Sequence, residues 1–185
     1  MNTKTKDMLL IALFAALTAV GAFIRIPVPF IPFTLQFFFC AFAGLLLGAK
    51  AGMLSQLLYV AVGLAGIPVF TQGGGIGYVM QPSFGYLLGL IPAAYAIGAV
   101  IERQKKPTYF GISVSVLTGL IILYLIGVPY LYAIYNFILK DAKSIQWAVK
   151  VGFLTFIGGD IVKTVIVSFL AYRVMPIIKG QYGSD

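Results

Sequence analysis

The chain has 185 residues, of which 61% are hydrophobic and 10% are charged, and its mean hydropathy is +1.00. Because soluble domains carry about 25% charged residues, this composition excludes a soluble globular protein and predicts one polytopic membrane domain over residues 1–185. The formal net charge of +8 does not indicate nucleic-acid binding, because the basic residues lie between apolar spans. With no His and one Cys, the sequence offers no metal-ligand cluster, so no metal or other cofactor is expected.

Apolar runs predict six transmembrane helices, and therefore an all-α integral membrane protein. The predicted spans are 8–24, 34–48, 52–64, 84–101, 109–126 and 147–175. The first is expected to be a retained helix rather than a signal peptide, because further membrane spans follow it. Gly127 and Pro129 are expected to end the fifth helix. The aromatic stretch 129–139 that follows is typical of a membrane interface.

Lys and Arg residues divide unevenly between the two ends of these spans. If both termini face the cytoplasm, eight lie on that side: Lys4, Lys6, Lys50, Arg103, Lys105, Lys106, Arg173 and Lys179. The outer side then has four: Arg25, Lys140, Lys143 and Lys150. Because cytoplasmic loops are enriched in these residues, the sequence predicts that both termini are cytoplasmic.

Two loops on the predicted outer side are unusually apolar. In residues 25–36, three prolines (Pro27, Pro29 and Pro32) predict a stiff, extended segment rather than a helix. Residues 66–82 contain three consecutive glycines, 73–75, whose backbone can approach a ligand closely. Because long apolar loops at one end of a helix bundle often act as lids, both are expected to be outward-facing lids or pocket walls.

Asp160 and Lys163 are the only ionisable residues well inside the last apolar span. Each costs about 2.5–3.5 kcal/mol at the centre of a bilayer, so such residues are kept where something compensates for them. Their i, i+3 spacing places both on one helix face. Two interpretations remain open: a mutual structural salt bridge that holds this helix to a neighbour, or a site for a polar small molecule. The second is favoured because intramembrane charges usually mark function.

The first helix has a face of small residues at spacings of three and four: Ala12, Ala15, Ala16, Ala19 and Ala22. In membranes, small residues allow helices to pack closely. The pattern by itself fits packing within the bundle and contact with a partner subunit equally well.

Four motifs in order give the chain a resemblance to the BioY family, the biotin-specific S components of bacterial energy-coupling factor (ECF) transporters. The first is a run of spaced prolines that ends in Thr34, Leu35 and Gln36. The second is a Gly-x-Pro-x-Phe turn into a glycine-rich loop: Gly66, Pro68, Phe70, Gly73 and Gly74. The third comprises Pro82, Gly85, Tyr86, Leu87 and Gly89, and the fourth Gly159, Asp160 and Lys163. Thr155 stands where family members often have a proline.

The resemblance implies high-affinity capture of biotin from outside the cell and its uptake across the bacterial cytoplasmic membrane. It also implies partners: a transmembrane coupling (T) subunit and two cytoplasmic ATPase subunits. In related S components an Ala-x-x-x-Ala face on the first helix contacts the T subunit. The pairs Ala12 with Ala16 and Ala15 with Ala19 fit that pattern, and so favour the partner contact.

Biotin has a ureido ring with two N–H donors and one carbonyl, an apolar thioether ring, and a carboxylate tail. Asp160 is expected to accept from the ureido N–H groups, and Lys163 to donate to a polar group. Pocket walls are expected from Phe30, Tyr86 and the loop at Gly73 and Gly74. The amide of Gln36 or exposed backbone N–H groups would meet the carboxylate. No residue is expected to be catalytic.

Other functions remain as alternatives. The same scaffold could bind another water-soluble vitamin, or act as a stand-alone secondary transporter, although no internal repeat or second carboxylate supports the latter. An intramembrane enzyme would need a nucleophile with a base, or a metal centre, and the sequence shows neither. A channel would need polar residues along several helices, and one Asp/Lys pair does not provide them.

Overall fold

The structure of the protein is a computed structural model that describes residues 3–27 and 30–180. Pro29 of the predicted stiff loop, and the side chain of Lys179, lie outside this description. Seven α-helices form the body of the described chain: α1 (Thr3–Phe23), α2 (Gln36–Leu47), α3 (Ala49–Leu64), α4 (Phe84–Glu102), α5 (Tyr109–Ala133), α6 (Ile145–Val149) and α7 (Thr155–Gly180). A π-helical turn, Lys150–Leu154, joins α6 to α7, so these two form the predicted sixth span.

The predicted order of helices is confirmed, but their lengths differ. Among the described residues, four helical segments are long and apolar enough to cross a membrane: Lys4–Phe23, Phe84–Glu102, Tyr109–Ile138 and Ile145–Ile177. With 12 and 16 residues, α2 and α3 are shorter. At about 1.5 Å per residue, α2 is shorter than a hydrocarbon core of about 30 Å. The chain is a multi-pass membrane protein in which α2 is covered on all sides, while α3 exposes Leu54, Leu57 and Leu58.

The fifth helix does not end before Gly127 and Pro129, and that prediction is wrong. Instead α5 continues to Ala133 and is followed by a π-helical turn, Ile134–Ile138. A proline inside a membrane helix is tolerated because neighbouring groups satisfy the backbone that it frees. Gly127 is a packing residue, because a Cβ at this position would overlap the ring of Tyr86 on α4.

Small residues allow α2, α3 and α4 to pack closely. Gly48 alone separates α2 from α3 and has a φ of 84°, where a glycine is favoured. The predicted turn at 48–52 is therefore shorter than expected, and α3 begins at Ala49. A Cβ at Gly98 on α4 would overlap the backbone of Ala49. Such contacts take the place of hydrophobic driving force between membrane helices.

The loops 24–35, 65–83 and 139–144 meet at one end of the bundle, called the cavity end below. The first contains a small antiparallel hairpin of β1 (Arg25–Ile26) and β2 (Phe33–Thr34). The second contains a 3-10 helix, Ile76–Met80. A hydrogen bond from the Tyr130 hydroxyl to the Val79 carbonyl joins this loop to α5.

Candidate functional site

A cavity lies beneath the loops of the cavity end, with about 610 Å³ of unoccupied space that includes open solvent at its mouth. Residues 31–34 of the first loop and Thr71, Tyr78 and Ser83 of the second line it. The rest of the wall comes from α2, α4, α5 and α7. Both loops therefore form part of a pocket wall, as the sequence predicted.

Asp160 and Lys163 of α7 lie in this cavity and form an ion pair with each other. They are 4% and 7% exposed, so neither charge faces lipid. The Tyr124 hydroxyl of α5 donates to Asp160, and the Lys163 ammonium donates to the Thr34 carbonyl at 3.0 Å. The ammonium also lies 4.0 Å from the centroid of the Phe33 ring. The pair therefore connects α7 to α5 and β2 while both charges remain at the cavity wall.

Aromatic side chains form the apolar part of the cavity. Phe33 and Phe156 are stacked, with their ring planes 6° apart and their centroids 6.2 Å apart. The rings of Tyr86 and Tyr124 pack edge to face at 6.3 Å. The Tyr86 hydroxyl donates to the Gly152 carbonyl at 2.8 Å, in the π-helical turn before α7. The hydroxyl can approach because Gly152 has no side chain, and a Cβ at this position would overlap it.

Gln36 also lines the cavity, but its amide is already in use. Its Oε1 accepts from the Thr34 hydroxyl at 2.9 Å, and its Nε2 donates to the Tyr59 hydroxyl at 2.7 Å. The Tyr59 hydroxyl in turn donates to the Val69 carbonyl at 3.1 Å. This chain of bonds orients the start of α2 and joins the first loop to the second.

The structure brings four of the predicted ligand-binding residues to the cavity: Gln36, Tyr86, Asp160 and Lys163. The other three, Phe30, Gly73 and Gly74, are not among the residues that line it, and their contact with a ligand stays a prediction.

The Phe30 backbone has a φ of 74°, and its ring packs on Trp147 and Tyr135 outside the cavity. Gly73 pairs with Phe70 in a tight turn. Gly74 lies against the carbonyls of Ile67 and Gly63. Its absent side chain allows the second loop to close onto the end of α3.

Tyr124, Phe33, Thr34 and Phe156 are site residues that sequence reasoning did not identify. Tyr124 lies within a continuous apolar helix, where one more aromatic residue carries no signal. Phe33 and Thr34 adjoin Gln36 in the proline-rich motif, and that proximity was the signal available for them. Their contacts with residues on α7 are between positions more than 120 apart in the chain, which no local pattern reports.

The alanine face of α1 is divided by the bundle. Ala15 and Ala22 are buried and Ala19 is partly buried against the core, while Ala12 and Ala16 are exposed. Packing within the bundle therefore accounts for Ala15 and Ala22. The exposed pair is the part of the face that remains open to a partner or to lipid.

Known proteins resemble this chain over nearly its whole length. The sequence profile of the BioY family matches residues 1–180. A probable biotin transporter BioY from Lysinibacillus sphaericus is 48% identical, covering 96% of this chain and 90% of that protein. The biotin transporter BioY from Thermotoga maritima is 37% identical, covering 91% and 95% respectively. A crystal structure of the S-component for biotin from an ECF-type ABC transporter matches with a TM-score of 0.81 at 28% identity, covering 95% of this chain and 94% of that one.

Proposed function

The chain belongs to the BioY family, and from this membership and the cavity we propose that it captures biotin as the S component of an ECF transporter. It is a transport protein and not an enzyme. The bound vitamin would lie in the cavity beneath the two loops, with its ureido ring at Asp160 and Lys163.

The observation that carries this proposal is the ion pair at the cavity wall. A ureido ring presents N–H donors and a carbonyl acceptor within one small rigid group. Asp160 supplies an acceptor and Lys163 supplies donors less than one helix turn away. Hydrogen bonds to charged groups are roughly twice as strong as neutral ones. Without ligand the two residues neutralise each other, so the empty site has no uncompensated charge inside the membrane protein.

The remaining wall fits the apolar part of the vitamin. The stacked rings of Phe33 and Phe156 and the edge-to-face pair of Tyr86 and Tyr124 surround the ion pair. Aromatic rings bury apolar ring systems well, while the tyrosine hydroxyls keep polar partners. The fused thioether ring of biotin would contact these rings.

Uptake requires energy that this chain does not supply, because its sequence has no nucleotide-binding motif. We infer that a transmembrane T subunit and two cytoplasmic ATPase subunits complete the transporter. The solved structural neighbour is an S-component of an ECF-type ABC transporter, which supports this assembly. Ala12 and Ala16 offer a surface for the T subunit. The excess of Lys and Arg at the end opposite the cavity supports cytoplasmic termini and a cavity that opens outward.

Equilibrium binding to the detergent-purified protein tests this function. We expect wild type to bind biotin in preference to thiamine and riboflavin. Asp160→Asn should weaken biotin binding by about 10- to 100-fold, the loss of one charge-assisted bond. The control is Asp141→Asn, which removes an exposed carboxylate from a pair with the partly buried Lys143 and should leave affinity unchanged. Tight binding of another vitamin by wild type, or unchanged biotin affinity in Asp160→Asn, would contradict the proposal.

A further inference from the structure

Arg25 lies next to the cavity, although it is not one of the residues that line it. In the hairpin its backbone is paired with that of Thr34, a residue of the cavity wall. The Arg25 guanidinium donates to the carbonyl of Thr71, which also lines the cavity. The cationic group is therefore held against one residue of the cavity wall, on the second loop.

The charge of Arg25 has no counter-ion in the described part of the chain. No carboxylate oxygen lies within 4.0 Å of its guanidinium among residues 3–27 and 30–180. The residue is exposed, and the Thr71 carbonyl takes one of its five N–H donors. A forked guanidinium with free donors matches the two oxygens of a carboxylate.

The end of the cavity at Asp160 and Lys163, called the deep end below, has no cationic group free to bind a carboxylate. The ammonium of Lys163 is neutralised by Asp160, and Gln36 donates its amide to Tyr59. A ligand carboxylate placed there would face the carboxylate of Asp160. A ligand with a neutral polar group at one end and a carboxylate at the other therefore has one favourable orientation, with its carboxylate at the rim.

We propose that Arg25 binds the carboxylate of the transported ligand and makes the site selective for an acidic tail. This inference rests on the proposed function and assigns a residue to the second end of the same ligand. Because Arg25 also contacts the second loop at Thr71, a bound carboxylate would be held where both loops meet. The deep ion pair recognises the ureido ring, and the rim cation recognises the tail.

Equilibrium binding of two ligands to four proteins tests the assignment. The ligands are biotin and biotinamide, in which a neutral carboxamide replaces the carboxylate. The proteins are wild type, Arg25→Gln, Arg25→Lys, and the control Lys140→Gln, which removes an exposed positive charge from the same end of the bundle. We expect Arg25→Gln to weaken biotin binding by about five- to tenfold, as for a lost charge pair at an exposed position, and to leave biotinamide binding unchanged.

The remaining variants refine the result. Arg25→Lys should recover part of the affinity for biotin, since it keeps the charge and loses the fork. Lys140→Gln should bind both ligands as wild type does. If Arg25→Gln weakened biotin and biotinamide equally, the bond to Thr71 would be purely structural and the proposal overturned. If it kept the preference of wild type for biotin, the carboxylate would lie elsewhere, and the proposal would also be overturned.

Wild type alone provides a second test in case Arg25→Gln does not fold. It should prefer biotin over biotinamide, and rising salt should reduce that preference, because the pair lies at an exposed rim. Equal affinity for the two ligands would overturn the role of Arg25 and leave the proposed function intact. Failure of folded wild type to bind either ligand would instead overturn the proposed function, and this inference with it.

Discussion

Single and double replacements of Asp160 and Lys163 distinguish the contribution of the ion pair to stability from its contribution to ligand binding. Removing one partner of a buried pair costs about 3–5 kcal/mol, because the other charge is left uncompensated. In Asp160→Asn, Lys163 keeps the Thr34 carbonyl and the Phe33 ring. In Lys163→Met, Asp160 keeps a single donor, the Tyr124 hydroxyl. We therefore expect about 3 kcal/mol for the first variant and about 5 kcal/mol for the second.

The double variant Asp160→Asn/Lys163→Met should recover most of this stability. Replacing a buried pair by neutral groups of similar volume is often neutral or stabilising, so we expect it within about 1 kcal/mol of wild type. Thermal unfolding in one fixed detergent measures the difference. For a chain of this size, about 1 kcal/mol corresponds to about 2–4 °C, so the single variants should unfold about 6–20 °C lower.

Biotin affinity should behave differently from stability. Each single variant should lose about 10- to 100-fold and the double about 100-fold or more, since two charge-assisted bonds to the ligand contribute about 1.5–3 kcal/mol each. The matched control is Asp141→Asn/Lys143→Met, an exposed pair expected to contribute under about 1 kcal/mol. A double variant that bound biotin within tenfold of wild type would refute the ligand role. Additive destabilisation in the double would refute the coupling between the two charges.

Three further predictions concern other parts of the structure. Tyr124→Phe removes the hydroxyl that donates to Asp160. It should lower the free energy of unfolding by about 1–2 kcal/mol and biotin affinity by about tenfold, as measured by thermal unfolding and equilibrium binding. If both values were unchanged, the hydroxyl would not hold the carboxylate. Gly98→Ala should cost about 1–3 kcal/mol in thermal unfolding, because its methyl group overlaps the backbone where α2 meets α3. Gly77→Ala, where a Cβ meets nothing within 4 Å, is the control and should stay within about 0.5 kcal/mol. Ala16→Trp places a bulky side chain on the exposed surface of Ala12 and Ala16. It should leave biotin binding by the purified protein unchanged and reduce biotin uptake by cells. Normal uptake would exclude this surface as the contact with the T subunit.

Pattern reasoning worked best where burial and chemistry coincide. Asp160 and Lys163 stand out in an apolar span because any buried charge demands compensation. The sequence therefore identified the deep end of the site, and the structure showed that the two interpretations of the pair are compatible. The two charges form a salt bridge and also line a cavity.

The same reasoning was less successful where the conformational preference of a single proline or glycine was used to predict local structure. Pro129 was expected to end a helix, yet α5 continues past it because its neighbours satisfy the backbone. Gly73 and Gly74 allow the second loop to fold on itself and on α3, while their expected approach to a ligand stays a prediction. A glycine in a sequence signals that something approaches closely, and the tertiary structure decides what that is.

The sequence by itself determined the class of protein, the order of its helices and the two charged residues that a membrane span could not leave unpaired. Composition and apolar run length suffice for these, since they depend on the transfer of each segment from water. Tertiary structure alone decided that Phe33 and Thr34 would cover Lys163, that Tyr124 would hold Asp160, and that Phe30 would turn away from the cavity. Each of these contacts joins segments far apart in the chain. Their geometry depends on how the helices pack and where the hairpin folds back, which no local pattern encodes.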